Sequence, residues 1–149
     1  MTFTPNLKTA ALAGILAMAF AGTAGAATDR AQTKSERDTI KAQYKQAKDA
    51  CKSMKGNAKD ICMAEAKGQE KLAKAELALK EKDTPKNRYD VAAAKADMDY
   101  NVAKEKCDDM KGKEKNQCEK DAKAARDSAK KQAKSERESS EGKKSNKKA

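Results

Sequence analysis

The sequence predicts an all-α chain of four helices, folded as two disulfide-stapled antiparallel hairpins, packed as a bundle or extended, with a disordered C-terminal tail. Three observations carry this. The chain holds a tandem repeat, its apolar positions keep a helical step, and a glycine lies midway between the two cysteines of each copy.

Residues 44–67 read YKQAKDACKSMKGNAKDICMAEAK, and residues 100–123 read YNVAKEKCDDMKGKEKNQCEKDAK. Tyr44, Cys51, Met54, Gly56, Cys62 and Ala66 align with Tyr100, Cys107, Met110, Gly112, Cys118 and Ala122 at one constant offset, 100 − 44 = 56. A Lys/Ala bias produces A-K matches by chance, but not paired Tyr, Cys, Met and Gly. The chain is a duplication.

The elements follow in order. Lys8 precedes an apolar run from about Ala10 to Ala21, and Ala24-Gly25-Ala26 supplies a small-residue exit. This is the pattern of a secretory signal peptide over residues 1–27, cleaved near Ala26 or Ala27. The run is shorter than the roughly 20 residues a membrane span requires. A first helix is expected over about 30–55, with Ile40, Tyr44, Ala47, Cys51 and Met54 on one seam. Met54-Lys55-Gly56-Asn57 then predicts a stop: a basic last turn, Gly as C-terminal cap, and Asn57 with Asp60 as the start of the next helix. That second helix is expected over about 57–82, its seam running through Cys62, Ala66, Gln69 and Ala73.

Thr84 and Pro85 suit the N-cap and first position of a third helix, about 85–111. Its seam, Tyr89, Ala93, Ala96, Tyr100, Ala103, Cys107 and Met110, steps by 4, 3, 4, 3, 4, 3. The pattern is an unbroken heptad. The fourth helix, about 113–135, carries Cys118, Ala122, Ala125 and Ala129. The polar, basic run beyond it is expected to be disordered. The chain divides into the signal over 1–27, hairpin repeats over 28–83 and 84–138, and a basic tail over 139–149.

Without the signal the chain has no Phe, Trp or His, and its net charge is 33 − 23 = +10. So few large apolar residues cannot build a sizeable core, and the cysteines must compensate. An exported chain meets an oxidising compartment, where four cysteines pair in one of three ways. The glycine decides between them. Cys51 lies five residues before Gly56 and Cys62 six after it, so the two sit level on antiparallel helices. A helix running straight through would separate them by about 16 Å, beyond any disulfide. The expected bridges are therefore Cys51–Cys62 and Cys107–Cys118.

Catalytic chemistry finds no footing. There is no His, no Gly-rich phosphate loop and no nucleophile motif, and Asp and Glu alternate with Lys throughout. No enzyme activity and no cofactor are expected. Cys51-x2-Met54 and Cys107-x2-Met110 place soft sulfur atoms one helical turn apart. Reduced, they would suit Cu(I), whereas oxidised cysteines leave only packing roles. Export and interleaved charge argue against nucleic acid as a partner. The Ala-rich seams are candidates for pairing with another copy or an envelope protein, and the basic tail for weak contact with an anionic envelope surface.

The Gly56–Lys67 stretch GNAKDICMAEAK and the Thr84–Tyr89 linker TPKNRY carry a resemblance. Over about residues 30–135 the chain resembles small exported Lys/Ala-rich Cys-repeat proteins of Gram-negative, especially β-proteobacterial, bacteria, labelled cell-envelope or TolA-like. The second copy departs from their pattern, with Lys113-Glu114-Lys115-Asn116 where Asn-Ala-Lys-Asp is expected. The resemblance implies a periplasmic location and no activity. The expected function is a non-enzymatic periplasmic structural or interaction protein in envelope maintenance or stress. The alternatives are a copper-binding or redox-responsive module and a disordered polycation that binds anionic envelope polymers.

Overall fold

A computed structural model describes residues 25–146 of the chain; the apolar run of the expected export signal lies outside them. Four helices account for nearly all of it: α1 (Gly25–Cys51), α2 (Gly56–Glu81), α3 (Pro85–Cys107) and α4 (Gly112–Asn146). The all-helical class and both disulfides match the expectation. Cys51 is bonded to Cys62 with Cα atoms 5.6 Å apart, and Cys107 to Cys118 with Cα atoms 5.7 Å apart.

Each helix packs on its neighbour in sequence, α1 on α2, α2 on α3 and α3 on α4, and no other pair of described helices touches. The arrangement is an open, serpentine array. It is not a closed bundle, in which α4 would return to α1, and it is not two separate hairpins, because α2 and α3 share an interface of their own.

The turns differ in detail from the expectation. α1 and α3 stop at their cysteines, and four residues, 52–55 and 108–111, make each reversal. Tight i→i−3 bonds, such as Met54 N–H to the Cys51 carbonyl at 3.1 Å, wind up the end of α1. The glycine follows the turn rather than capping the helix before it. Gly56 and Gly112 both take φ +57° as they open α2 and α4, a conformation that costs glycine little because it has no Cβ. Asn57 does not cap α2. Lys55 occupies that position without a side-chain bond, and Asn57 Nδ2 instead donates to the Glu105 carbonyl at 2.7 Å, on α3. The α2–α3 turn is as expected: the Thr84 hydroxyl accepts from Asn87 N–H at 3.1 Å, with Pro85 opening the helix. Asn87 Nδ2 adds bonds to the carbonyls of Ala78 and Lys82, so one amide closes the orphaned end of α2.

α4 continues to Asn146 instead of ending near 135, so described residues 139–146 extend the helix. No proline interrupts this stretch, and Lys134–Glu138 and Arg137–Glu141 are oppositely charged one turn apart, a spacing that supports helix. Residues 147–149 lie outside the description.

The fully covered core is small: Cys51, Ala66, Leu77, Ala96, Cys107 and Ala133, with both leading cysteines at 0% exposure. The expected seams of α1 and α3 face inward up to the cysteines, but Met54 and Met110 stand 43% exposed. The helices end before the methionines, so the heptad step no longer directs them. On α4, Ala125 and Ala129 face solvent, and Arg126, Lys130, Ala133 and Arg137 hold the α3-facing positions. Arg126 lies over the Tyr100 ring at 4.3 Å and Arg137 over Tyr89 at 5.1 Å. Their long side chains cover rings that alanine could not reach. Gln69 on α2 is likewise exposed, one position away from the buried Gly68.

The two copies occupy different positions in the array. The α3-facing stripe of α2, Ile61, Ala64, Gly68, Leu72, Ala75 and Leu79, is buried or partly buried. Its equivalents on α4, at +56, are Gln117, Lys120, Ala124, Ser128, Lys131 and Ser135, all exposed. Val91, Ala94, Met98 and Val102 on α3 are partly buried, whereas Ser35, Asp38, Ala42 and Gln46 on α1 are exposed. The inner helices are apolar on two sides and the outer helices on one, as the ends of a repeat array require.

Gly68 is a point of close approach in the α2–α3 interface. A Cβ built there would lie 2.2 Å from Met98 Cγ and 2.8 Å from Met98 Cβ. Gly68→Leu is expected to lower the free energy of unfolding by about 2 kcal/mol or more through overpacking. Ala124→Leu, its exposed repeat equivalent, is expected to stay within about 0.5 kcal/mol. Urea titration of the two variants measures the difference, and equal effects would refute the role assigned to Gly68.

Candidate functional site

The serpentine path brings both cysteine turns to one end of the array, side by side. The hydrogen bond from Asn57 at the start of α2 to Glu105 near the end of α3 ties the two tips together. This end carries all four cysteines and both Cys-x2-Met segments.

Within each tip the bridge lies innermost. Cys51 and Cys107 are fully buried, while Cys62 and Cys118 are partly buried. Beyond them the chain turns outward and presents Met54 and Met110 as exposed thioethers. All four candidate ligands of the Cys-x2-Met pairs are therefore at one end. In this state, however, the sulfur atoms of Cys51 and Cys107 are bonded to those of Cys62 and Cys118. No thiolate faces the methionines. Among the described residues, no group of three or more His, Cys, Asp or Glu side chains is arranged to hold a metal ion.

The electrostatics of the tips come from short ion pairs at the surface. Lys52 pairs with Asp49 at 2.7 Å in the first tip, and Lys115 with Asp108 at 2.6 Å in the second. The Lys115–Asp108 pair spans the turn and links the end of α3 to the first turn of α4. The hydrogen bond from Lys115, helped by its charge and that of Lys104, holds the Asp108 carboxyl below its ordinary range. The same partner raises Lys115. Such pairs orient exposed side chains and contribute little stability.

A groove lies at the opposite end, between the start of α1 and the end of α2, around Leu77. Part of its polar lining is paired: Arg37 donates twice to the Glu81 carboxylate, and Lys80 pairs with Glu36. Among the described residues, no helix is long and apolar enough to cross a membrane.

The sequence pattern located the tips and the bridges. It did not locate the Asn57–Glu105 bond, because Asn57 sits at a spacing that also suits a helix cap. The replacement of Asn57 by Lys113 in the second copy was the available signal, since the second tip has no further helix beside it. No protein-family model, curated protein or solved structure matches the chain.

Two outcomes follow from this geometry. Reduction of the bridges is expected to lower the free energy of unfolding by about 2–3 kcal/mol for each, the loop-closure value for short loops. Denaturant unfolding with and without a reductant measures this, and an unchanged midpoint would contradict it. Carbon-13 NMR titration is expected to give Asp108 a midpoint below the ordinary 3.8, moving up toward it in Lys115→Gln. A carboxylate with a lowered pKa stabilises the fold above its unfolded pKa and loses that contribution as pH falls through the folded one. An identical midpoint in the variant would remove Lys115 as the cause.

Proposed function

We propose that this chain is a non-catalytic structural protein of the periplasm, a disulfide-pinned helical array that serves the cell envelope in maintenance or stress. One observation carries the reading: every cysteine is consumed in a bridge that closes a hairpin directly beneath its tip. Such a fold draws its stability from oxidation and belongs in a compartment that keeps disulfides formed. The export pattern in residues 1–27 supports the same compartment.

The array suits an interaction role because its rigidity is set locally. Each hairpin is held by a bridge at one end, and the two are joined by the α2–α3 interface and the Asn87 clasp. A scaffold of this kind presents long, charged helix faces without needing a large core.

Thiol counting and disulfide mapping test the proposal on protein recovered from the periplasmic fraction of a Gram-negative host. The expected result is export, no free thiol, and the pairs Cys51–Cys62 and Cys107–Cys118. Four free thiols with copper bound would overturn the structural reading in favour of a soft-metal module, and retention in the cytoplasm would overturn the location.

A further inference from the structure

The two broad faces of the α1–α2 hairpin carry different charge. At 3.6 residues per turn, Lys34, Lys41, Lys45 and Lys48 form one stripe along α1, and Lys52 follows in the turn beyond it. Lys67, Lys71 and Lys74 form a second along α2, and all eight side chains are exposed. The groove between the helices on this side is lined by Lys41 and Lys74 with the paired Arg37 and Glu81, which places both stripes on one face.

The groove on the opposite side is lined by Glu36, Thr39 and Glu76, with Lys80 held in an ion pair by Glu36. The stripes that follow from these residues are Gln32, Thr39, Gln43 and Ala50 on α1, and Glu65, Gln69 and Glu76 on α2. The lysine on this side, Lys80, is offset by its pairing with Glu36. The interleaving of charge along the sequence thus resolves, in the folded hairpin, into a basic face and an acidic-to-neutral one.

Few of the lysines are neutralised. Lys41, Lys52 and Lys74 pair with Asp38, Asp49 and Glu70. Lys34, Lys45, Lys48, Lys67 and Lys71 make no ion pair among the described residues. From Lys34 to Lys48 the α1 stripe extends over about 21 Å, and the α2 stripe lies beside it at the usual helix separation of about 8–10 Å. The free charge is therefore spread in two dimensions over one side of a single layer of helices.

We propose that this face docks on an anionic phospholipid bilayer. A broad layer with two parallel rows of ammonium groups matches a flat array of lipid phosphates. Duplex nucleic acid calls for an element that enters a groove or a surface that curves around it. Single strands call for exposed aromatic platforms, whereas Tyr44, Tyr89 and Tyr100 are partly buried on the seams. Docking is peripheral and electrostatic, so it weakens as salt rises. It goes beyond the scaffold reading and does not depend on it.

Vesicle co-sedimentation of the full chain tests the docking, with phosphatidylglycerol/phosphatidylcholine vesicles against phosphatidylcholine alone. The neutral vesicles report any contribution from the apolar N-terminal segment. One variant carries Lys41→Gln, Lys45→Gln, Lys48→Gln and Lys71→Gln. A second removes the same charge from the tail with Lys143→Gln, Lys144→Gln, Lys147→Gln and Lys148→Gln. Circular dichroism checks that both remain helical. The expected result is binding that requires phosphatidylglycerol, falls at least about tenfold in the first variant, and changes less than about twofold in the second. Equal loss in both variants would reduce the effect to net charge and overturn the proposal. So would loss in the tail variant alone, absence of phosphatidylglycerol dependence, or tighter binding to duplex DNA than to vesicles at the same salt.

Discussion

Two sulfur–sulfur bonds hold α1 against α2, and α3 against α4, with Cα atoms 5.6 and 5.7 Å apart. Helices pinned that closely leave room mainly for small side chains beside the bridge, and the inward residues nearest to it are Ala47, Ala66, Ala103 and Ala122. The scarcity of large apolar residues is thus matched to the geometry. Close approach trades side-chain volume for backbone proximity, and the covalent bond supplies part of what a thicker core would otherwise supply. Gly68 extends the same logic to the α2–α3 interface, where the missing Cβ lets the Met98 side chain lie against the backbone of α2.

Much of this was legible in the sequence, because the decisive signals were covalent or periodic. The constant offset between copies, the cysteine spacing and the Thr84-Pro85 start define four helices and both bridges. The departures concern places where two physical readings share one spacing. Gly56 two residues past Met54 suits a helix cap, yet in the fold it exits a four-residue turn in the left-handed region. Ala125 and Ala129 continue the heptad, yet the Tyr89 and Tyr100 rings draw Arg137 and Arg126 inward, and the packed stripe of α4 lies one residue over. A pattern of small residues records where helices can approach, whereas long amphipathic side chains take part in packing without an apolar mark in the sequence.

The differences between the copies carry as much structural information as their likeness. Asn57, Ile61, Gly68 and Leu72 give way to Lys113, Gln117, Ala124 and Ser128, and each change follows the loss of a neighbouring helix. On α1 and α3 the exchange runs the other way, with Asp38 and Gln46 becoming Ala94 and Val102. Two copies that share their cysteines and the Tyr44/Tyr100 position are therefore specialised, one hairpin as the left half of the array and the other as its right half. The segregation of lysine onto one face of α1–α2 is a further asymmetry, visible once the helices are laid side by side.

The polarity of the two outer helices also sets how an array of this kind can lengthen. A hairpin appended beyond α4 would meet Lys113, Gln117, Lys120 and Ser128, a surface with nothing to bury. A unit inserted between α2 and α3 would meet an apolar stripe on each side and restore both interfaces. Longer relatives of this architecture, natural or designed, would therefore arise by duplication of the centre, with the first and last helices conserved as terminators. Length in such a chain is a property of its middle.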